Sequence, residues 1–191
     1  LGEAASLSVH ESQSRLWENN VGRALPFWKY NFEIAQKTFP AQFSAISQHT
    51  LYKAINRVEP SFIRTQADEL TYHFHIMIRF DIEKALMEGT LNVADLKNYW
   101  NEQYQKYLGI TPNDDATGIL QDVHWSHGLL GYFPTYSLGS AYAAQYYRQA
   151  EQDIPGLNEL IAKGDNTPLL NWLREKIHVH GRFYNSQDLC E

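Results

Sequence analysis

Hydrophobic positions in this chain recur with a helical period along most of its length. Trp17, Val21, Ala24, Leu25 and Trp28 share one stripe, which predicts a single long helix over about residues 2–28. Phe39, Phe43, Ile46 and Ala54 mark a second helix ending before Pro60. Arg57 to Ile63 (RVEPSFI) is the most strand-like stretch, with a proline suited to an edge or a turn. Thr65 with Asp68 reads as a capping box opening a helix to Gly89, and Asn92 with Asp95 opens another that Gly109 ends. TPNDDATG then interrupts the pattern as an exposed loop. A helix over Tyr136 to Asp153 carries the small residues Gly139, Ala141, Ala143 and Ala144, which permit close packing. Thr167 as N-cap, with Pro168 at the first helical position, opens the last helix, which Gly181 closes. The expected fold is all-α with at most a small β-hairpin.

Composition narrows the function classes. At 191 residues, 43% hydrophobic and 14% aromatic, the chain can bury a sizeable core and is no disordered tail. Twenty-two acidic against 16 basic side chains give a net charge of -6 with no basic block, which speaks against nucleic acid or an anionic membrane as partner. No apolar run approaches the roughly 18–20 residues of a membrane span. The single cysteine, Cys190, permits no internal disulfide and favours a cytoplasmic setting.

Three clusters could carry chemistry. His10 and Glu11 are adjacent, so on a helix they lie about 100° apart and cannot easily face one ion. His10 falls on the stripe of Trp17 and Trp28 and is expected to pack, whereas Glu11 points away from it. The pairs His73/His75 and His178/His180, at i,i+2, diverge on a helix and are poor chelates. Arg64 just before a helix could bind a carboxylate bidentately, although by itself it pairs most simply with Asp68 one turn later. QDVHWSHGLLGYFPTY gathers Asp122, His124, His127, Tyr132 and Tyr136 in a loop that suits a site wall as well as a rigid connector.

HESQ at 10–13, IRTQAD at 63–68 and GILQDVHW at 118–125, in this order, resemble the signature blocks of the carboxypeptidase Taq family of zinc metallocarboxypeptidases. SRLWEN, GYFPTY and IHVHGRFY flank them in agreement, so the resemblance covers essentially the whole chain. It implies a mostly helical, groove-type metallopeptidase fold, commonly homodimeric, that removes single residues from peptides with a free C-terminus. It implies Glu11 as the third zinc ligand beside two histidines of an HExxH helix, with His10 packing behind, and Co2+ or Mn2+ as possible substitutes for Zn2+. It assigns Arg64 to the substrate's terminal carboxylate, against the simpler pairing with Asp68. His124 and Tyr136, and more weakly Tyr132, are the candidates for steadying the oxyanion, while Asp68, Gln121, Asp122 and Trp125 support and orient. No HExxH occurs in this sequence, which opens at Leu1. The chain is therefore expected to be the C-terminal part of one catalytic domain, a piece expected to be inactive by itself and not to hold zinc stably alone. The competing expectations are a non-catalytic helical peptide-binding protein and a related metalloendopeptidase.

Overall fold

Pro26 decides the first departure from this pattern. In the computed structural model, which describes residues 3–191, helix α1 spans Leu7–Arg15, with the Ser6 hydroxyl accepting from Val9 N at 3.1 Å. It passes into a π-helical segment, Leu16–Gly22, and Ala24 is extended before α2, Leu25–Thr38, begins with Pro26 in its first turn. A proline cannot sit in a helix interior, so the single long helix becomes two. The expected start near Gly2 lies outside the described residues. Short helices α3, Pro40–Phe43, and α4, Gln48–Ile55, replace the second long helix, because Ser47 caps α4 by accepting from Thr50 N at 3.1 Å.

No strand occurs among the described residues, so the possible hairpin at Arg57 to Ile63 does not form. Side chains satisfy the backbone of this segment in place of a partner strand. Glu59 N donates to Asp68 Oδ2 at 3.0 Å, and Phe62 O accepts from Gln121 Nε2 at 2.7 Å and Tyr104 Oη at 3.2 Å. Helix α5, Glu69–Met87, follows with Asp68 itself as the N-cap. Helix α6, Leu96–Leu108, ends at Gly109, whose φ of 70° is the left-handed cap expected of a glycine there. A single turn, α7, Val123–Ser126, precedes α8, Tyr136–Asp153, whose bounds match the sequence pattern. Helix α9 spans Leu157–Ile161, α10 Thr167–Lys176 and α11 Ser186–Cys190. Asn166, not Thr167, is the N-cap residue of α10, and the helix ends before Gly181, with a short 3-10 turn His178–His180 between.

The chain forms two compact units. One holds the residues up to Asn56 together with Leu138–Glu191, and the other is Arg57–Ser137. The first is built on Val9, Leu16, Val21, Ala143, Tyr146, Leu157, Leu169, Trp172 and Leu173. The second packs α5 on α6 through Ile78, Ile82, Trp100, Tyr104 and Leu108, with Tyr72, Ile76 and Phe133 in a further cluster. Burial of each such side chain contributes on the order of 1.5–3 kcal/mol. Among the described residues no helix is long and apolar enough to cross a membrane.

Candidate active site

Within the second unit, α5 carries a polar row through an apolar core. His75, Arg79 and Glu83 recur every fourth residue, so one helix face presents all three, and all are buried. Arg79 Nε donates to Asp122 Oδ2 at 2.8 Å, in an ion pair fully removed from solvent, and its guanidinium lies 3.6 Å from the Trp100 ring centroid. Glu83 Oε1 accepts from Trp125 Nε1 and Glu83 Oε2 from Gly131 N, each at 2.7 Å. His75 Nδ1 lies 3.0 Å from Tyr104 Oη. Burial, followed by the positive charges of Arg79 and Arg64, pushes the His75 pKa down to about 3, so this imidazole is neutral near pH 7.

This row holds the loop that bears the predicted donors. Asp122 Oδ1 accepts from Trp125 N at 2.9 Å and caps α7, which presents His124. The buried His124 ring stacks on Tyr132, with centroids 5.2 Å apart, and on Phe133 at 5.5 Å, and meets Tyr136 edge-on at 5.8 Å. Tyr132 and Tyr136 are half-buried, 5.9 Å apart. His127 is exposed, and its Nδ1 lies 2.8 Å from Val123 O within its own turn.

Arg64 joins the same cluster. Its Nη1 donates to Tyr72 Oη at 3.0 Å, its Cζ sits 4.5 Å from the Phe133 ring centroid, and Tyr72 stacks on Tyr136 at 6.2 Å. The simple pairing with Asp68 does not occur, because that carboxylate is already occupied. Asp68 accepts from Leu70 N, from Thr71 N and Oγ1, and from Glu59 N. Arg64 Nε is buried and meets no acceptor among the described residues. Gln121 fixes the Arg64 turn, accepting from Arg64 N at 3.0 Å while its amide donates to Phe62 O and Thr117 O. IRTQAD and GILQDVHW thus fold as one hydrogen-bonded body.

Burial raises the Asp68 pKa, but the Thr71 hydroxyl and the amides of Thr71, Glu59 and Leu70 outweigh it and hold the carboxyl below its ordinary 3.8. A depressed pKa in the folded state stabilises the fold fully above pH 3.8 and is lost as pH falls through the lower folded value. Asp68→Ala is expected to cost about 1–2 kcal/mol at pH 7. Denaturant midpoints of variant and parent should draw together on acidification to pH 3, and an undiminished gap at that pH would contradict the linkage.

Glu11 lies in the first unit. It is buried in α1, where the Ser14 hydroxyl donates to its Oε1, whereas His10 is exposed. This reverses the expectation that His10 packs and Glu11 points outward. The π-helical segment has a wider turn than an α-helix, so counting back from Trp17 and Trp28 at 100° per residue misplaces the buried face. Gly139 of α8 lies against this part of α1. A Cβ there would come within 3.2 Å of both Glu11 Cβ and Ser8 O, so the bare glycine is what lets the two helices meet at Glu11. A carboxylate is a suitable donor for a divalent ion, but among the described residues no three His, Cys, Asp or Glu side chains gather to hold one. Among the described residues Glu11 is a single buried carboxylate donor, which by itself does not make a metal site. His73 and His75 diverge as expected, with His73 Nδ1 2.9 Å from Ser137 Oγ.

The family profile of the carboxypeptidase Taq (M32) metallopeptidases matches residues 1–191. The chain belongs to this family. Carboxypeptidase 1 of Bacillus subtilis (strain 168) is 49% identical over 191 residues, all of this chain and 38% of that protein. Thermostable carboxypeptidase 1 of Thermus thermophilus is 47% identical, again over 100% of this chain and 37% of that protein. The BsuCP crystal structure superposes with a TM-score of 0.95 at 47% identity, covering 98% of this chain and 38% of that one. The chain thus spans about 38% of the length of the curated relatives it matches. Membership of a metallopeptidase family makes metal dependence a property to expect of the intact M32 protein, and the all-α fold agrees with its solved relatives. Motif reading overlooked Arg79 and Glu83, the two α5 side chains that hold the His124 loop through Asp122, Trp125 and Gly131. The i,i+4 row of His75, Arg79 and Glu83 inside an apolar helix was the signal that marks them.

Proposed function

We propose that this chain is part of a zinc-dependent carboxypeptidase domain that releases single amino acids from peptides with a free C-terminus. The observation that carries this reading is Arg64, a buried guanidinium with Nε unclaimed, held by Tyr72 and Phe133 on a turn that Gln121 fixes. A planar cation with a donor to spare matches a substrate carboxylate. Glu11 supplies one metal ligand, and two histidines of an HExxH helix outside these 191 residues supply the others. Zinc bound there supplies a water of pKa lowered to about 7, with Co2+ or Mn2+ as substitutes.

In this chain's share of the reaction, Arg64 grips the terminal carboxylate and so sets which peptide bond is presented. His124 and Tyr136, with Tyr132 in support, donate hydrogen bonds to the oxyanion that forms on the scissile carbonyl. Asp68, Gln121, Asp122 and Trp125 hold those groups in place. By the same family resemblance the intact enzyme is a homodimer, and its single cysteine in this region supports a cytoplasmic setting. The test is release of the C-terminal residue from an N-blocked peptide by the full-length polypeptide. Release should disappear with chelator, return with zinc, and fail on a peptide ending in an amide. Equal cleavage of the amide would indicate an endopeptidase, and no release with any added metal would indicate a pseudoenzyme.

A further inference from the structure

We infer that Glu83 is a positioning residue for the reaction: its two carboxylate oxygens clamp both ends of the loop that brings His124 against Tyr132. The geometry is specific to these two points. Trp125, which donates to Oε1, directly follows His124, and Gly131, which donates to Oε2, directly precedes Tyr132. One carboxylate on α5 therefore ties down the chain immediately beside each partner of a ring pair whose centroids are 5.2 Å apart. Both hydrogen bonds are 2.7 Å, and Glu83 is only 6% exposed, so solvent offers little competition. Ser126, His127, Gly128, Leu129 and Leu130 between them are all exposed, and the hydrogen bonds of the first four close onto residues 123–125 of their own turn, so α5 holds the pair through the two ends of the loop.

A carboxylate is needed because both partners are N–H donors. Glutamine at this position keeps one acceptor and turns a donor toward the other N–H, so one clamp is lost at nearly unchanged volume. Misplacing a reacting group by about 1 Å can cost on the order of 10²-fold in rate.

This inference rests on the carboxypeptidase reading, and its test separates the two. Full-length Glu83→Gln and Trp125→Phe variants are compared with the parent and with Glu88→Gln, an exposed glutamate just past the end of α5. The expected result is kcat reduced roughly 10–100-fold with KM within about twofold, in variants that still melt cooperatively, while Glu88→Gln matches the parent. In parallel, [13Cε1]histidine NMR follows the His124 resonance, assigned through His124→Gln. Stacked on two aromatic rings, this resonance should move in both clamp variants. In an active enzyme, unchanged kcat in both variants overturns the inference whatever happens to the melting temperature. If the parent releases nothing, the carboxypeptidase reading fails, and an unmoved His124 resonance then overturns the positioning role independently. Should Glu83→Gln not fold, Trp125→Phe, which removes one clamp and keeps an aromatic ring, decides alone.

Discussion

Asp122→Ala is expected to destabilise the folded protein by about 3–5 kcal/mol, because it leaves the Arg79 guanidinium buried without a counter-charge. Arg79 is 0% exposed, and its ion pair with Asp122 at 2.8 Å is the one salt bridge it makes among the described residues. The stacking of Arg79 on Trp100 at 3.6 Å offsets part of its desolvation but does not neutralise the charge. Asp122 also caps α7 through Trp125 N, and losing a cap adds about 1 kcal/mol. These two contributions can be separated. Asp122→Asn keeps an oxygen for the cap and removes the charge, so it should be less damaging than alanine. Adding Arg79→Met to Asp122→Asn removes the stranded cation and should recover part of the loss, since apolar replacement of a complete buried pair is often close to neutral. Denaturant midpoints of the full-length variants measure all three. A value for Asp122→Ala within about 1 kcal/mol of the parent would mean that the pair is hydrated.

The contrast between legible and illegible features follows from how local each one is. Tyr136–Asp153 could be read to the residue, and Gly109 as a terminator, because periodicity and a positive φ are properties of the segment itself. The breaks at Ala24 and Ser47 were missed because apolar residues continued across them, although Pro26 marks the first plainly. The strand-like look of Arg57 to Ile63 came from β-branched and extended residues whose backbone is met by the side chains of Asp68, nine residues past Glu59, and of Gln121 and Tyr104, distant in sequence. The same limit applied to the candidate site. Motif blocks placed Arg64 and His124 in one family pattern. Only tertiary structure brings them to the same Phe133 ring and shows Asp68 fully occupied as a cap. Glu11 was singled out by motif and mis-aimed by helical arithmetic, because seven residues of π-helix cannot be foreseen from a 3.6-residue period.

On the proposed function, Arg64→Ala should lower kcat/KM for a peptide with a free C-terminal carboxylate by roughly 10²–10⁴. Hydrogen bonds to charged groups contribute about 1.5–3 kcal/mol each, and a bidentate grip loses two of them. The same substitution should barely alter the already slow turnover of a peptide ending in an amide, so the free-acid preference collapses rather than the whole rate. That selectivity is the decisive readout, since Arg64 also braces the site by donating to Tyr72 Oη and lying over Phe133. A brace lost without a carboxylate grip would slow both substrates by the same factor. Tyr72→Phe gives the complementary control, removing the partner of Nη1 while leaving the cation and the aromatic packing. It should weaken kcat/KM far less than Arg64→Ala and preserve the preference for the free acid. Arg64→Lys is expected to resemble alanine more than the parent, because an ammonium cannot donate to Tyr72 and chelate a carboxylate with one planar fork. Rescue of full free-acid preference by lysine would mean that charge alone suffices at this position, and that the orientation imposed by Gln121 and Phe133 serves stability instead.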